Sequence, residues 1–149
     1  MSPYDELAAY TLQHGDPSFI HQHVVDATGA QLATPTDRPI RLAFSLIGLY
    51  LHLEHAYTGR QVQQAHMRLS RKRKDWPTFD FPADRGSLTV EDVLQSPPGP
   101  ERDQAIEAWC ASVWNAWSTS RDEVIQLLRA LDEQPRSSQW PLASQSLRS

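Results

Sequence analysis

Proline placement constrains this sequence more than any other feature. Of its 11 prolines in 149 residues, several stand where a helix can begin: Ser2-Pro3, Asp16-Pro17, Asp37-Arg38-Pro39 and Pro100 behind Pro97-Pro98-Gly99. Proline lacks an amide donor and holds φ near −65°, so the first helical turn accepts it and the helix interior does not. Read this way, the prolines divide the chain into helices of moderate length. They leave no room for a long coiled coil, and no run of alternating apolar and polar residues argues for a strand.

The spacing predicts a first helix from Pro3 to about His14, with Gly15 supplying a left-handed C-terminal turn. A second opens at Asp16-Pro17 and lasts until Thr34-Pro35. The third, opening at Asp37-Arg38-Pro39, is apolar nearly all round from Leu42 to Leu53 and is the predicted centre of the fold. Thr58-Gly59-Arg60-Gln61 reads as a capping box, stapled by Tyr57 and Val62, that starts a fourth helix over about 59–74. Thr89-Val90-Glu91-Asp92 is a second box, between Leu88 and Val93, and opens a short fifth helix stopped by Pro97-Pro98. From Pro100 onward, Ile106, Trp109, Cys110, Val113, Trp117, Val124, Leu127, Leu128 and Leu131 keep a three-and-four spacing, which predicts one long sixth helix running through Ser118-Thr119-Ser120. Between helices four and five, Trp76-Pro77-Thr78-Phe79-Asp80-Phe81-Pro82 reads as an extended loop pinned by its aromatics.

The expected architecture is all-α: a single-domain helical bundle over 1–134, in which helices two, three, four and six are the main members and one and five are short additions. A polar, Ser-rich tail over 135–149 follows, mobile unless Trp140-Pro141-Leu142 docks on the body.

Charge and cysteine usage narrow the function classes. The net charge is −4, from 14 Lys plus Arg against 18 Asp plus Glu, which lacks the electrostatic footprint of a nucleic-acid binder. Arg71-Lys72-Arg73-Lys74 is a local exception, and four cations at a helix C-terminus complement its dipole. Cys110 is the only cysteine, so no internal disulfide framework exists and a cytoplasmic setting is expected. Residues Met1–Glu6 show neither the basic start nor the apolar run of a secretory leader. The apolar stretch Leu42 to Leu51 is too short to span a bilayer, so no membrane partner is expected.

Histidine is the compositional lead: all 6 fall within the first 66 residues. Helical bundles can gather imidazole and carboxylate ligands from facing helices onto one interior point. On helix two, His21 shares a face with Val24, Val25, Thr28 and Leu32 and is expected to point inward, while His23 falls on another face with Phe19, Asp26 and Ala27. His52 and His55 lie three apart on helix three and can converge on one ligand. His66 sits between Val62 and Leu69 on the apolar stripe of helix four. His21, His52, His55 and His66, with Asp26 and Glu54 as ligating or orienting carboxylates, are the candidates for a divalent-metal site, zinc or nickel, whose chemistry would be hydrolase-like or transferase-like through an activated water. The alternative is that each is a hydrogen-bonded structural residue. The chain is then a non-catalytic interaction module or homodimer, with the exposed face of the Trp-rich last helix as its contact surface. Cys110, flanked by Trp109 and Val113, reads as an inert buried thiol, and Gly48 as a point of close helix contact.

Several segments together carry a resemblance: Tyr4-Asp5-Glu6-Leu7, His21 to Asp26 with Gln31, Leu46-Ile47-Gly48-Leu49-Tyr50-Leu51 with Glu54, Thr58-Gly59-Arg60, and Val113-Trp114 with Trp117. Over about residues 4–130 the chain resembles an uncharacterised bacterial domain-of-unknown-function family. That resemblance implies a shared polar cluster of His21, Asp26, Gln31 and Glu54. In size and in His placement the chain is more loosely similar to the DinB-like metal-binding bundles, which usually take two ligands from a His-rich late helix. Here the last helix offers Ser118, Ser120 and Asp122 instead.

Overall fold

The computed structural model describes residues 2–13, 18–133 and 135, and the tail expected over 135–149 lies outside them apart from Pro135. Seven α-helices and one 3-10 turn are present among the described residues, and no strand. They are α1 (Pro3–Gln13), α2 (Ile20–Gln31), α3 (Pro39–His55), α4 (Gly59–Lys72), α5 (Val90–Gln95), α6 (Pro100–Ala116), a 3-10 turn at Ser118–Ser120, and α7 (Arg121–Ala130). The starts follow the punctuation closely. Ser2 Oγ accepts from the Asp5 amide at 3.1 Å, prolines open α3 and α6, and both capping boxes form reciprocally at Thr58/Gln61 and Thr89/Asp92.

Two expectations are corrected. Helix two is shorter than its start and stop signals suggest, beginning at Ile20 behind Phe19, whose φ is +56°, and ending at Gln31. Its expected start at Asp16-Pro17 lies outside the described residues. The long sixth helix is two helices. Ser118-Thr119-Ser120 are poor helix formers that compete with the backbone for hydrogen bonds, and here the chain tightens into a 3-10 turn before α7 resumes. The apolar stripe continues across the break, with Val124, Leu127 and Leu128 buried, because one short 3-10 turn shifts the helix phase by only part of a turn. Periodicity survived; continuity of the backbone helix did not.

Helices α2 and α3 share the centre of the fold: α2 contacts α1, α3, α4 and α6, α3 contacts α2, α4, α6 and α7, and α5 packs on α1 and α6. Leu42, Ala43 and every residue from Ser45 to Leu51 are buried. Trp109 of α6 and Trp117 at its C-cap are fully buried and Trp114 nearly so, 7% exposed, so all three tryptophans face the core. Aromatics of this size bury on the order of 150–250 Å² each, and they anchor the fold. The loop over 73–89 is pinned as its aromatics suggest. Trp76 meets Phe44 edge-on at 5.1 Å, Phe81 meets Trp117 at 5.4 Å, and Phe79 is buried.

The α2–α3 contact is closest of all where small residues interlock. A Cβ on Gly48 would fall inside the Asp26 carboxyl, and one on Gly29 would fall on the Ser45 hydroxyl. Each helix therefore inserts a polar side chain into a glycine gap of the other. Gly48 does permit close contact, and its neighbour is an acid.

Candidate functional site

The buried face of α2 is His23, Val24, Asp26, Ala27 and Ala30, a rotation away from the expected His21 face. Val25 and Leu32, counted towards the core by their hydrophobicity, are 44% and 51% exposed. The glycine interlock sets this rotation: close approach to α3 buries Asp26, Ala27 and Ala30, with Val24 beside them, and leaves Val25 and Leu32 outside. His21 is half-buried and its Nδ1 lies 2.9 Å from the Thr11 hydroxyl, tying α2 back to α1.

His23, which the sequence reading set aside, lies at the centre of a polar seam between α2, α3 and α6. Its ring stacks on that of His52 with centroids 3.5 Å apart and planes 15° apart. His52 faces the Tyr57 carbonyl through Nδ1 at 2.9 Å and the Glu107 carboxylate through Nε2. Both partners present oxygen acceptors, an arrangement that favours a ring protonated on both nitrogens. Burial opposes this charge, but the hydrogen bonds to Glu107 and Tyr57 outweigh it and raise the His52 pKa. The same contact lowers that of Glu107. His23 is the neutral half of the stack: burial, reinforced by the neighbouring His52 cation, brings its pKa down to about 3.

One turn along α2, Asp26 is buried with a single hydrogen bond, from Gln22 Nε2 at 3.2 Å. Its Oδ2 has no partner. Burial raises its pKa well above the usual carboxylate range, so it is a neutral acid filling the Gly48 gap. Nearby, the Cys110 thiol approaches the His23 carbonyl at 3.7 Å, and burial pushes its pKa up. It is an inert thiol by the ordinary criterion of thiolate access.

The remaining candidates go elsewhere. His52 and His55 do not converge: His55 Nε2 lies 2.8 Å from the Tyr50 hydroxyl. Glu54 accepts from Trp114 Nε1 at 2.8 Å and is held by Arg121 through Nε and Nη2. That contact with Arg121, foremost, lowers its pKa. His66 Nε2 faces the Phe44 carbonyl at 2.9 Å with its ring stacked on Phe44 at 4.5 Å, and burial lowers its pKa to about 4. Gln31 joins none of these. Its Oε1 accepts from Trp109 and Tyr4, and its Nε2 donates to the carbonyls of Leu88 and Arg85. The shared cluster of His21, Asp26, Gln31 and Glu54 implied by resemblance is four separate tethers.

Among the described residues no group of three His, Cys, Asp or Glu side chains is placed to hold a metal ion. The stacked pair explains why proximity of imidazoles is not enough here. A lone pair lies in its ring plane, and two nearly parallel planes 3.5 Å apart do not meet at a point about 2 Å from both nitrogens, as ligand bonds require.

Sequence reasoning missed His23, Glu107 and Arg121. Glu107 was accessible in principle, since it shares the 107, 110, 114 stripe with Cys110 and Trp114. His23 was accessible through the 23, 26, 27, 30 stripe, had small residues been weighted as burial signals. The cations at the end of α4 behave as expected of a helix terminus: Lys72 Nζ donates to the Leu131 carbonyl and, with Arg68, pairs with Glu133.

Among the described residues the geometry defines an all-helical protein with an internal polar seam between α2, α3 and α6. The chain belongs to a family of unknown function, DUF5946, whose model matches residues 2–118. Comparison with curated proteins finds no match, and neither does comparison with solved structures. No helix among the described residues is long and apolar enough to cross a membrane.

Proposed function

We propose that this chain is a non-catalytic interaction module that works as a homodimer, its His and carboxylate side chains serving the fold. The observation that carries the reading is the outer face of the α1–α2 pair. Leu12 is 60% exposed, beside Val25 and Leu32 at 44% and 51%. On α1 the face repeats as Asp5, Ala8, Leu12, and on α2 as Val25, Thr28, Gly29, Leu32, which are helical i, i+3, i+4 and i+7 spacings. All but Leu12 border one recess of about 340 Å³. A twofold interface must be self-complementary, and this face carries both halves of a fit: a protruding leucine and, one turn away, an apolar recess. Asp5, Asp37 and Arg41 on the recess wall supply both charge signs for reciprocal pairing across a twofold axis.

We infer a cytoplasmic setting from the lone, buried cysteine, and no nucleic-acid partner from the net charge of −4. Sedimentation velocity tests the dimer. The expected result is a dimer at micromolar concentration that becomes monomeric, with unchanged helicity, in Val25→Asp and Leu32→Asp. A strict monomer at every concentration overturns it. Zinc or nickel binding by His21, His52, His55, His66, Asp26 and Glu54 is the competing use of the same residues. Stoichiometric metal in protein purified without a His tag, lost in His21→Ala and His66→Ala, would replace the structural reading.

A further inference from the structure

A second surface adjoins the α1–α2 face around the first turn of α3, sharing Asp37 and Leu42 with the recess there. One recess there, about 260 Å³, is lined by Pro35, Pro39, Leu42, Pro77, Phe79 and Phe81, with Thr34, Asp37, Arg38 and Thr78 at its polar margin. It shares Arg38 and Pro39 with an adjoining recess of about 450 Å³ whose other walls are Ile40, Lys74, Asp75 and Trp76. The two form one groove, apolar and proline-rich at one end and basic at the other. The Trp76 indole nitrogen, in the wall of the basic end, is buried without an acceptor, although buried donors are ordinarily paired.

The chain leaves the described body close to this groove. Glu133 is held by Lys72, 2.8 Å from its Nζ, and by Arg68. Two residues beyond Lys72 comes Lys74, part of the groove wall. Past Pro135 the sequence runs Arg136-Ser137-Ser138-Gln139-Trp140-Pro141-Leu142. At about 3.3 Å per extended residue, Trp140 to Leu142 can lie about 16–23 Å from Pro135. Of the 14 residues after Pro135, only this triplet combines a large aromatic, a proline and a leucine, which is the chemistry that stacks on Pro35, Pro39, Pro77 and Phe79.

We propose that Trp140-Pro141-Leu142 of this same chain docks intramolecularly in the groove between the first turn of α3 and the loop carrying Pro77–Phe81. Because the groove borders the recess of the proposed homodimer at Asp37 and Leu42, the readout is a local contact followed on dilution and not a matter of mass.

The test uses the full chain as Ser138→Cys carrying a nitroxide label, with Cys110 left in place because it is fully buried. Amide peaks of Thr34, Thr78 and Phe79 are expected to lose most of their intensity, unchanged on dilution. The intensity should return when Trp140→Ala is added, and also when Thr78→Asp is placed at the exposed groove margin. No loss at these amides overturns the proposal, as does loss concentrated on another face. Loss that disappears on dilution also overturns it, since it reports the segment of a second copy.

Discussion

Asp26 and Glu54 are both acids on helices of the same bundle, and both stood as candidate metal-ligating carboxylates, yet they end in opposite states. Asp26 is buried against Gly48 with one hydrogen bond and an unpartnered oxygen, and burial raises its pKa. Glu54 sits at the C-terminal end of α3 with Arg121 and Trp114, which lower its pKa. The first is a neutral acid acting as a shape that fills a glycine gap. The second is an ion acting as a clip between α3, α6 and α7. Desolvation and pairing decide the role of a carboxylate, and neither is written in the residue's own letter.

The largest expected effect breaks the Asp26 side of this contrast. Gly48→Ala places a methyl group inside the Asp26 carboxyl. Overpacking of this kind is expected to cost about 1–3 kcal/mol in chemical denaturation, net of the helix propensity gained. Asp26→Ala in the same chain should recover part of the loss, a coupling that a double-mutant cycle reads directly. Equal losses in the two backgrounds would show that the Asp26 carboxyl does not occupy the gap.

His52→Ala comes next, at about 1–2 kcal/mol, because it removes a charged hydrogen-bonded pair and the ring stacked on buried His23. The sign of its pH dependence follows from the raised pKa of His52. The stabilisation is complete below the unfolded histidine value, near 6.5, and is lost as pH rises through the higher folded value. The difference between wild type and variant is therefore larger at pH 6 than at pH 9. His23 runs the other way. Its folded value of about 3 gives stability that is present above about 6.5 and lost as pH falls.

Asp26→Asn sharpens the comparison with a change of slope. The raised folded pKa of Asp26 means its contribution is complete below about pH 4 and declines as pH rises above it. Relative to wild type, the variant should gain stability steadily between pH 4 and 7. The smallest effect is expected from Glu54→Gln. A half-exposed ion pair contributes little, so a fall in Tm of about 1–2 °C at neutral pH is predicted. That fall should vanish as pH drops through the lowered folded pKa of Glu54 and both carboxyls are protonated.

Most of the fold was legible because it rests on local chemistry. Prolines, capping boxes and the Ser2 cap act over three or four residues, and all of those described form as read. The break at Ser118–Ser120 was less legible, since a stripe of buried side chains continues through a single 3-10 turn. The site was least legible, for a particular reason. Burial on α2 is set by Gly29 and Gly48, which let helices approach, and so falls on His23, Asp26, Ala27 and Ala30 while Val25 and Leu32 stay exposed. Hydrophobicity alone points to the opposite face. The pairing of His52 with Glu107 joins residues 55 positions apart, and only the packing of α3 on α6 reveals it.

The account holds that the His and carboxylate side chains are spent on internal structure, with Asp26 as its most exacting case. The direct measurement is a carboxyl-carbon NMR titration of Asp26 in the full chain, with Glu54 as the internal reference. The account predicts an Asp26 midpoint well above the ordinary aspartate value of about 3.9 and a Glu54 midpoint below the ordinary glutamate value of about 4.3, the directions that burial and the Arg121 contact impose. An Asp26 signal that titrates near the ordinary aspartate value of about 3.9, or one that shifts on adding zinc or nickel, would contradict it.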